Sequence, residues 1–274
     1  MAALTRMATS ELMDARGCSD RELRETLRDL GRINRWFGAH AFVRRFLDRI
    51  LPVRGADVAP LWILDVATGG ADIPVAVAEW AGHRGAAVRI VAVDRHPTIT
   101  RLAREMTARY PSITILEADA LALPFPDRAF DVCLCSLALH HLDPGDAVAL
   151  LRQLDRLGRL GFLVVDLVRG WSAYAGVWLL TRCSRSPLIR HDGPVSVRRA
   201  PSWNEYRVLA AHAGIPGLHL FRLPLFRMGL ARGTAPKLRS TRRAGAQSNA
   251  ALTRHDGCGA RQDGDDARQG GSDA

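Results

Sequence analysis

Lysine is almost missing from this chain of 274 residues: Lys237 is the only one, so arginine supplies 37 of the 38 basic side chains. With no other lysine, the Tyr-x-x-x-Lys pair of short-chain dehydrogenases cannot be built. Cysteine is scarce too. Cys18, Cys133, Cys135, Cys183 and Cys258 are odd in number and show no Cys-x-x-Cys spacing, which argues against a zinc site or a disulfide framework and for a reducing compartment. No apolar run reaches the roughly 18 residues of a membrane span, and the opening "MAALTRMATSELMDARG" has no apolar signal core, so a soluble cytoplasmic chain is expected. The formal net charge of +10 would invite nucleic acid. The arginines are scattered, however, rather than gathered in a block, so no nucleic-acid partner is expected. There are no internal repeats, and nothing bears on oligomeric state.

What is present is a hydrophobic fraction of 47%, ample for one packed α/β domain with appendages. Residues 1–19 are polar and aperiodic and read as a flexible N-terminus. From Asp20 to Leu51 the apolar residues recur three or four apart, as in amphipathic helices, with Gly38 as the break. This helical cap, 20–56, ends in the linker "PVRGADVAP". Between residues 62 and 170, short β-branched runs ("LWILDVA", "AVRIVAVD", "ITILEAD", "FDVCLCSLAL", "LGFLVVDLV") alternate with helical segments. That rhythm implies a parallel sheet covered on both faces, doubly wound and Rossmann-like, within a domain spanning 57–232. Cys133 and Cys135 alternate within one run, as core residues on one strand face do.

Residues 170–200 interrupt the rhythm with an apolar helical patch and then a basic, proline-containing loop. A Ser202–Glu205 capping box opens the next helix, and "LHLFRLPLFRMGLAR" supplies two final antiparallel strands. From residue 233 apolar periodicity is lost, and the segment to 274 reads as a disordered tail.

In an open α/β sheet, ligands bind beyond the carboxyl ends of the strands. The first strand is followed by Asp65, Ala67, Thr68, Gly69, Gly70, Ala71 and Asp72, the second by Asp94 and Arg95, the third by Asp119 and Ala120, and the fourth by Ser136 through His141. A pyrophosphate cofactor needs the Gly-x-Gly-x-x-Gly turn. This loop has only two of those glycines, and Asp65 and Asp72 would repel a diphosphate. A small-residue turn bracketed by carboxylates suits a cationic ligand, such as the ammonium and sulfonium of S-adenosylmethionine. Asp94 can then accept from ribose hydroxyls, and Asp119, with the backbone of Ala120, from an adenine amino group.

The set "ILDVATGGAD", "VAVD", "EADALALPFPDRAFDVCLCSLALHHL" and "GRLGFLVVDL" resembles the class I S-adenosylmethionine-dependent methyltransferases, particularly the ubiquinone and menaquinone biosynthesis branch. The resemblance covers about residues 60–168. It implies a seven-stranded sheet whose last strand, "LFRMGLAR", is antiparallel. The family's Asp-x-Gly-x-Gly-x-Gly stands here as Asp65-Val66-Ala67-Thr68-Gly69-Gly70-Ala71. Alanine is harmless there only where φ is negative; if Ala67 needs a positive φ, affinity suffers. "RHDGPVSVRRA" is similar to small-molecule methyltransferases of bacterial aromatic polyketide pathways, which implies a phenolic or quinol acceptor.

Methyl transfer is an in-line displacement that needs positioning more than covalent help. For an oxygen nucleophile His140, His141 or His191 is the candidate base; no metal is expected. Trp171, Tyr174 and Trp178 are the candidate lid over an aromatic acceptor, with Trp36 and Phe37 opposite and Arg190, Arg198 and Arg199 available to an acidic group. O-methylation is placed ahead of C-methylation. The rival readings are a non-catalytic binding module, supported by the two alanines, and a methyltransferase of RNA or protein, for which no coherent basic face is visible.

Overall fold

The computed structural model describes residues 4–7, 11, 12, 19–51, 59–182, 184 and 186–233. The tail read as disordered, the linker at 52–58 and Cys18, Cys183 and Cys258 lie outside these residues. Seven strands form one sheet: β1 (Leu61–Val66), β2 (Val88–Asp94), β3 (Ile113–Glu117), β4 (Phe130–Ser136), β5 (Gly158–Leu167), β6 (His219–Leu223) and β7 (Arg227–Arg232), in the order β3-β2-β1-β4-β5-β7-β6. All neighbouring pairs are parallel except those made by β7, which runs antiparallel to both β5 and β6. The chain order reverses at β1, flanked by β2 and β4, so the carboxyl end of β1 is the switch point at which a crevice opens.

The strands are apolar on both sides because both sides are covered. Ile63, Val132, Leu134, Leu163 and Val165 pack with Phe42, Phe46, Ile73 and Val77 of α2 (Ala39–Ile50) and α3 (Asp72–His83). Their alternating neighbours Leu64, Val66, Cys133, Cys135, Phe162 and Val164 pack with Leu150, Leu154, Tyr206 and Leu209 of α5 (Pro144–Leu157) and α8 (Trp203–Ala213). The period of two in the sequence thus becomes two cores. Cys133 and Cys135 are free, fully buried thiols whose ionisation burial suppresses.

The amino-terminal helices belong to this packing. A Ser19–Glu22 capping box starts α1 (Asp20–Trp36), and Gly38 separates it from α2. Leu23 and Leu27 of α1 bury against Ile99 and Leu102 of α4 (Pro97–Thr107). Two segments differ from expectation. The basic stretch read as a loop is α7 (Pro187–Arg199), capped by Ser186. Its first proline occupies a position where no amide hydrogen bond is lost, and Pro194 falls inside the helix. At residues 1–19, read as flexible, the described positions are docked: the Met7 amide donates to the Arg198 carbonyl (3.1 Å) and the Leu12 amide to Asp192 Oδ1 (2.8 Å).

Candidate active site

At the end of β1 the chain turns through Ala67 to Ala71 into α3. The Thr68 amide donates to the Val93 carbonyl (2.9 Å), and the Gly69 amide to Asp94 Oδ2 (3.0 Å), so the tip of β2 braces the loop. Asp94 Oδ1 also accepts from the His96 amide (3.1 Å). Gly70 has a packing reason to lack a side chain, because a Cβ there would lie 3.2 Å from Leu27 Cβ where α1 crosses the loop. Ala67 and Ala71 adopt φ of 55° and 57°, the left-handed region that glycine tolerates and alanine pays about 1 kcal/mol or more to occupy. The condition under which the alanines would be harmless is therefore not met.

The strand-end residues converge. Asp65, Ala67, Thr68, Gly69, Gly70, Asp72, Asp94, Arg95, Asp119, Ala120 and Ser136 all line one cavity of about 290 Å³. The electrostatics are those of a cation site. Asp65 is almost fully buried, and among the described residues its Oδ1 and the Thr68 hydroxyl have no hydrogen-bond partner. Burial outweighs the neighbouring Thr68 hydroxyl and, with Asp72 and Asp94 adding to it, pushes the Asp65 carboxyl up to about 8. Asp119 accepts from the Leu121 amide (3.0 Å) at an exposed turn. Asp72 is already engaged: it accepts from His40 Nε2 (2.8 Å) and Asn34 Nδ2 (3.2 Å), while Asn34 Oδ1 accepts from the buried Arg227 (3.2 Å). This relay fastens α1, α2 and β7 to the loop.

A buried acid with an unsatisfied oxygen beside the Thr68 hydroxyl, in a loop of minimal side chains, fits the ammonium-bearing tail of S-adenosylmethionine. The comparisons agree. A family model described as a methyltransferase domain matches residues 63–161. A demethylmenaquinone methyltransferase of Lysinibacillus sphaericus is 28% identical over 156 residues, 57% of this chain and 63% of that protein, so the match spans less than two thirds of the relative's length. A ubiquinone/menaquinone biosynthesis C-methyltransferase of an Enterobacter species is 26% identical over 216 residues, 72% of this chain and 81% of that one. Human N-acetylserotonin methyltransferase, solved with S-adenosylmethionine, shares the fold at a TM-score of 0.54 and 16% identity, over 79% of this chain and 57% of its own.

Residues 63–161 form a methyltransferase domain.

Within this methyltransferase domain the remaining predicted residues separate. Only His141, of the three histidines, borders the cavity; it follows β4 in the tight turn Leu139–His141. His140 is sealed behind it, with Nδ1 2.6 Å from Asp166 Oδ1 and Nε2 3.5 Å from Glu11 Oε1. Burial disfavours its charged form, but the two carboxylates outweigh burial and hold it up at about 10, so it is a cation at neutral pH and not a free base. Glu11 moves the other way, to about 2, because His140 and His141 outweigh its burial. His191 is exposed on α7 and paired with its neighbour Asp192 (2.8 Å).

The lid residues do not border the cavity either. Trp171, Tyr174 and Trp178 sit on α6 (Trp171–Thr181), which packs against α7, where Gly193 leaves no room for a Cβ beside Thr181, and against Phe226 at Gly176. Trp36 is exposed, and the Phe37 ring faces Arg227. Leu27, Leu30 and Asn34 of α1 line the cavity instead. Arg190 and Arg199 donate to the backbone carbonyls of Ser184 and His141. The sequence offered no signal for Glu11, an acid in an aperiodic stretch; that Leu27 and Leu30 line the cavity was hidden because helix periodicity marks a buried face without naming what covers it.

Proposed function

We propose that the chain transfers a methyl group from S-adenosylmethionine to a small hydroxylated aromatic acceptor, a phenol or quinol, at oxygen in preference to ring carbon. The observation that carries this reading is the single cavity running from the acids at the ends of β1, β2 and β3 to His141. In it Asp65 and Thr68 hold the ammonium end of the cofactor, the amides around Gly69 and Gly70 leave room for its backbone, Asp94 accepts from the ribose hydroxyls, and Asp119 with Ala120 meets the adenine. The bound cofactor supplies an electrophilic methyl carbon. What the protein adds is alignment and exclusion of water.

Leu137 and Leu142 beside His141, with Leu30 of α1, supply apolar lining for an aromatic ring. His141, with Glu11 Oε1 3.8 Å from its Nε2, is the group placed to take the acceptor's hydroxyl proton. Transfer to ring carbon is the second reading, favoured by the C-methyltransferase activity in the Enterobacter relative's name. No helix among the described residues is long and apolar enough to cross a membrane, and the free thiols favour a reducing, cytoplasmic setting.

The test is to incubate the protein with S-adenosylmethionine carrying a 13C-labelled methyl group and a panel of phenols and quinols. The methyl carbon resonance separates an aryl ether from an aryl methyl. Labelled aryl ether that disappears in His141→Ala supports the first reading, and aryl methyl the second. Cofactor binding without transfer to any member of the panel would remove the aromatic acceptor, and no binding at all would leave the non-catalytic module.

A further inference from the structure

The turn that delivers His141 to the cavity also brings together three groups that proton transfer alone does not require. Glu11 Oε1 lies 3.5 Å from His140 Nε2 and 3.8 Å from His141 Nε2, and the three donor atoms lie within 4.8 Å of one another. Bonds of about 2.1 Å to a tetrahedral ion put ligand atoms about 3.4 Å apart, so two of the three separations are already near that edge length.

Two of the three donors are oriented from behind. Asp166 Oδ1, 2.6 Å from His140 Nδ1, turns Nε2 of that ring towards Glu11. Ser196 Oγ donates to Glu11 Oε1 (2.6 Å). Arg6 and Arg199 donate to the carbonyls of Leu142 and His141 and fix the turn itself. A histidine ligand whose second nitrogen meets a carboxylate is the usual outer support of a metal site.

We propose that Glu11, His140 and His141 bind one divalent transition-metal ion at the acceptor end of the cavity. Two imidazoles and one carboxylate suit Zn2+, Co2+ or Fe2+ and serve Mg2+ and Ca2+ poorly, since those ions want oxygen throughout. Glu11 and His140 are buried and His141 borders the cavity, so a fourth position opens where the acceptor stands. On the reading above, the ion would polarise the acceptor's oxygen, and His141 would act as a ligand rather than as a base.

The experiment uses the full chain, stripped with chelator and dialysed against Co2+ or Zn2+ without cofactor or acceptor. The expected result is one equivalent bound, with the visible spectrum of four-coordinate Co2+ in a nitrogen and oxygen site. Glu11→Gln and His141→Ala should each weaken binding at least about tenfold while leaving circular dichroism unchanged. Absence of stoichiometric Co2+, or equal binding by both variants, overturns the proposal and leaves the cluster as an ion pair. Should the variants fail to fold, the wild-type spectrum and a Zn2+-dependent rise in Tm decide, and absence of either overturns it. Titration with S-adenosylmethionine on the same samples keeps a failure of the cofactor reading separate.

Discussion

Replacing Asp65 by asparagine should stabilise the unliganded protein at neutral pH while weakening its hold on S-adenosylmethionine. The carboxyl is raised from the ordinary 3.8 to about 8, chiefly by burial, so the folded chain keeps a proton that the unfolded chain has lost. Stability from this group is therefore complete below about pH 4 and falls, by about 1.4 kcal/mol per unit, as pH climbs towards 8. Across the roughly three units up to pH 7 the loss is about 4 kcal/mol. Asparagine resembles the protonated acid in shape and does not titrate, so Asp65→Asn should recover that amount at pH 7 and nothing near pH 4. At about 2 °C or more per kcal/mol, Tm should rise by about 8 °C at pH 7. Affinity moves oppositely: loss of a charge-assisted contact worth about 2 kcal/mol weakens cofactor binding by about thirtyfold. Wild-type binding at pH 7 should release close to one proton from Asp65, read by calorimetry in buffers of different ionisation enthalpy, and the variant should release none. A pH-independent change in Tm, or equal proton release by both proteins, would refute the reasoning.

Ala67→Gly relieves a left-handed alanine and should raise Tm by about 2 °C after the extra freedom of the unfolded chain is counted. Ala71→Gly should not, since the Ala71 methyl is wholly buried against Ala92, Ala103 and Ile115; thermal melts of the two variants check the order. Asp94→Ala removes the acceptor for the Gly69 and His96 amides as well as the proposed ribose contact, so calorimetric titration should show S-adenosylmethionine binding weakened at least about tenfold. Gly193→Ala would set a Cβ 2.5 Å from Thr181 Cγ2, at a cost of about 1–3 kcal/mol that Thr181→Ala in the same chain should largely restore in a denaturant melt.

The sheet was readable because its signal is local. A strand buried on both faces is a short unbroken apolar run, and an acid at or just past the end of such a run lands at the carboxyl edge whatever the rest of the chain does; Asp65, Asp94 and Asp119 needed no long-range information to meet in one cavity. Residues 171–199 carried an equally local signal that pointed elsewhere. An apolar helix records that it is covered without naming the partner, and here Gly176 and Gly193, the positions that admit Phe226 and Thr181 at close range, set α6 against the body of the domain and away from the cavity.

Glu11 is the opposite case, because its chemistry depends on partners that no spacing encodes. The stretch around it has no period and reads as a frayed end, yet its carboxylate reaches a histidine whose other nitrogen is held by Asp166 on the neighbouring strand β5. The cofactor half of the site thus follows from fold topology, which a sequence pattern reports. On the proposed reading the acceptor half is assembled from the N-terminal segment and the turn after β4, elements that meet only in three dimensions. That division places specificity in the less legible half: exchanging the amino-terminal residues should alter which acceptor is methylated while leaving cofactor affinity unchanged. A chimera that lost cofactor binding first would show that α1, through Asn34 and Asp72, belongs to the cofactor half instead.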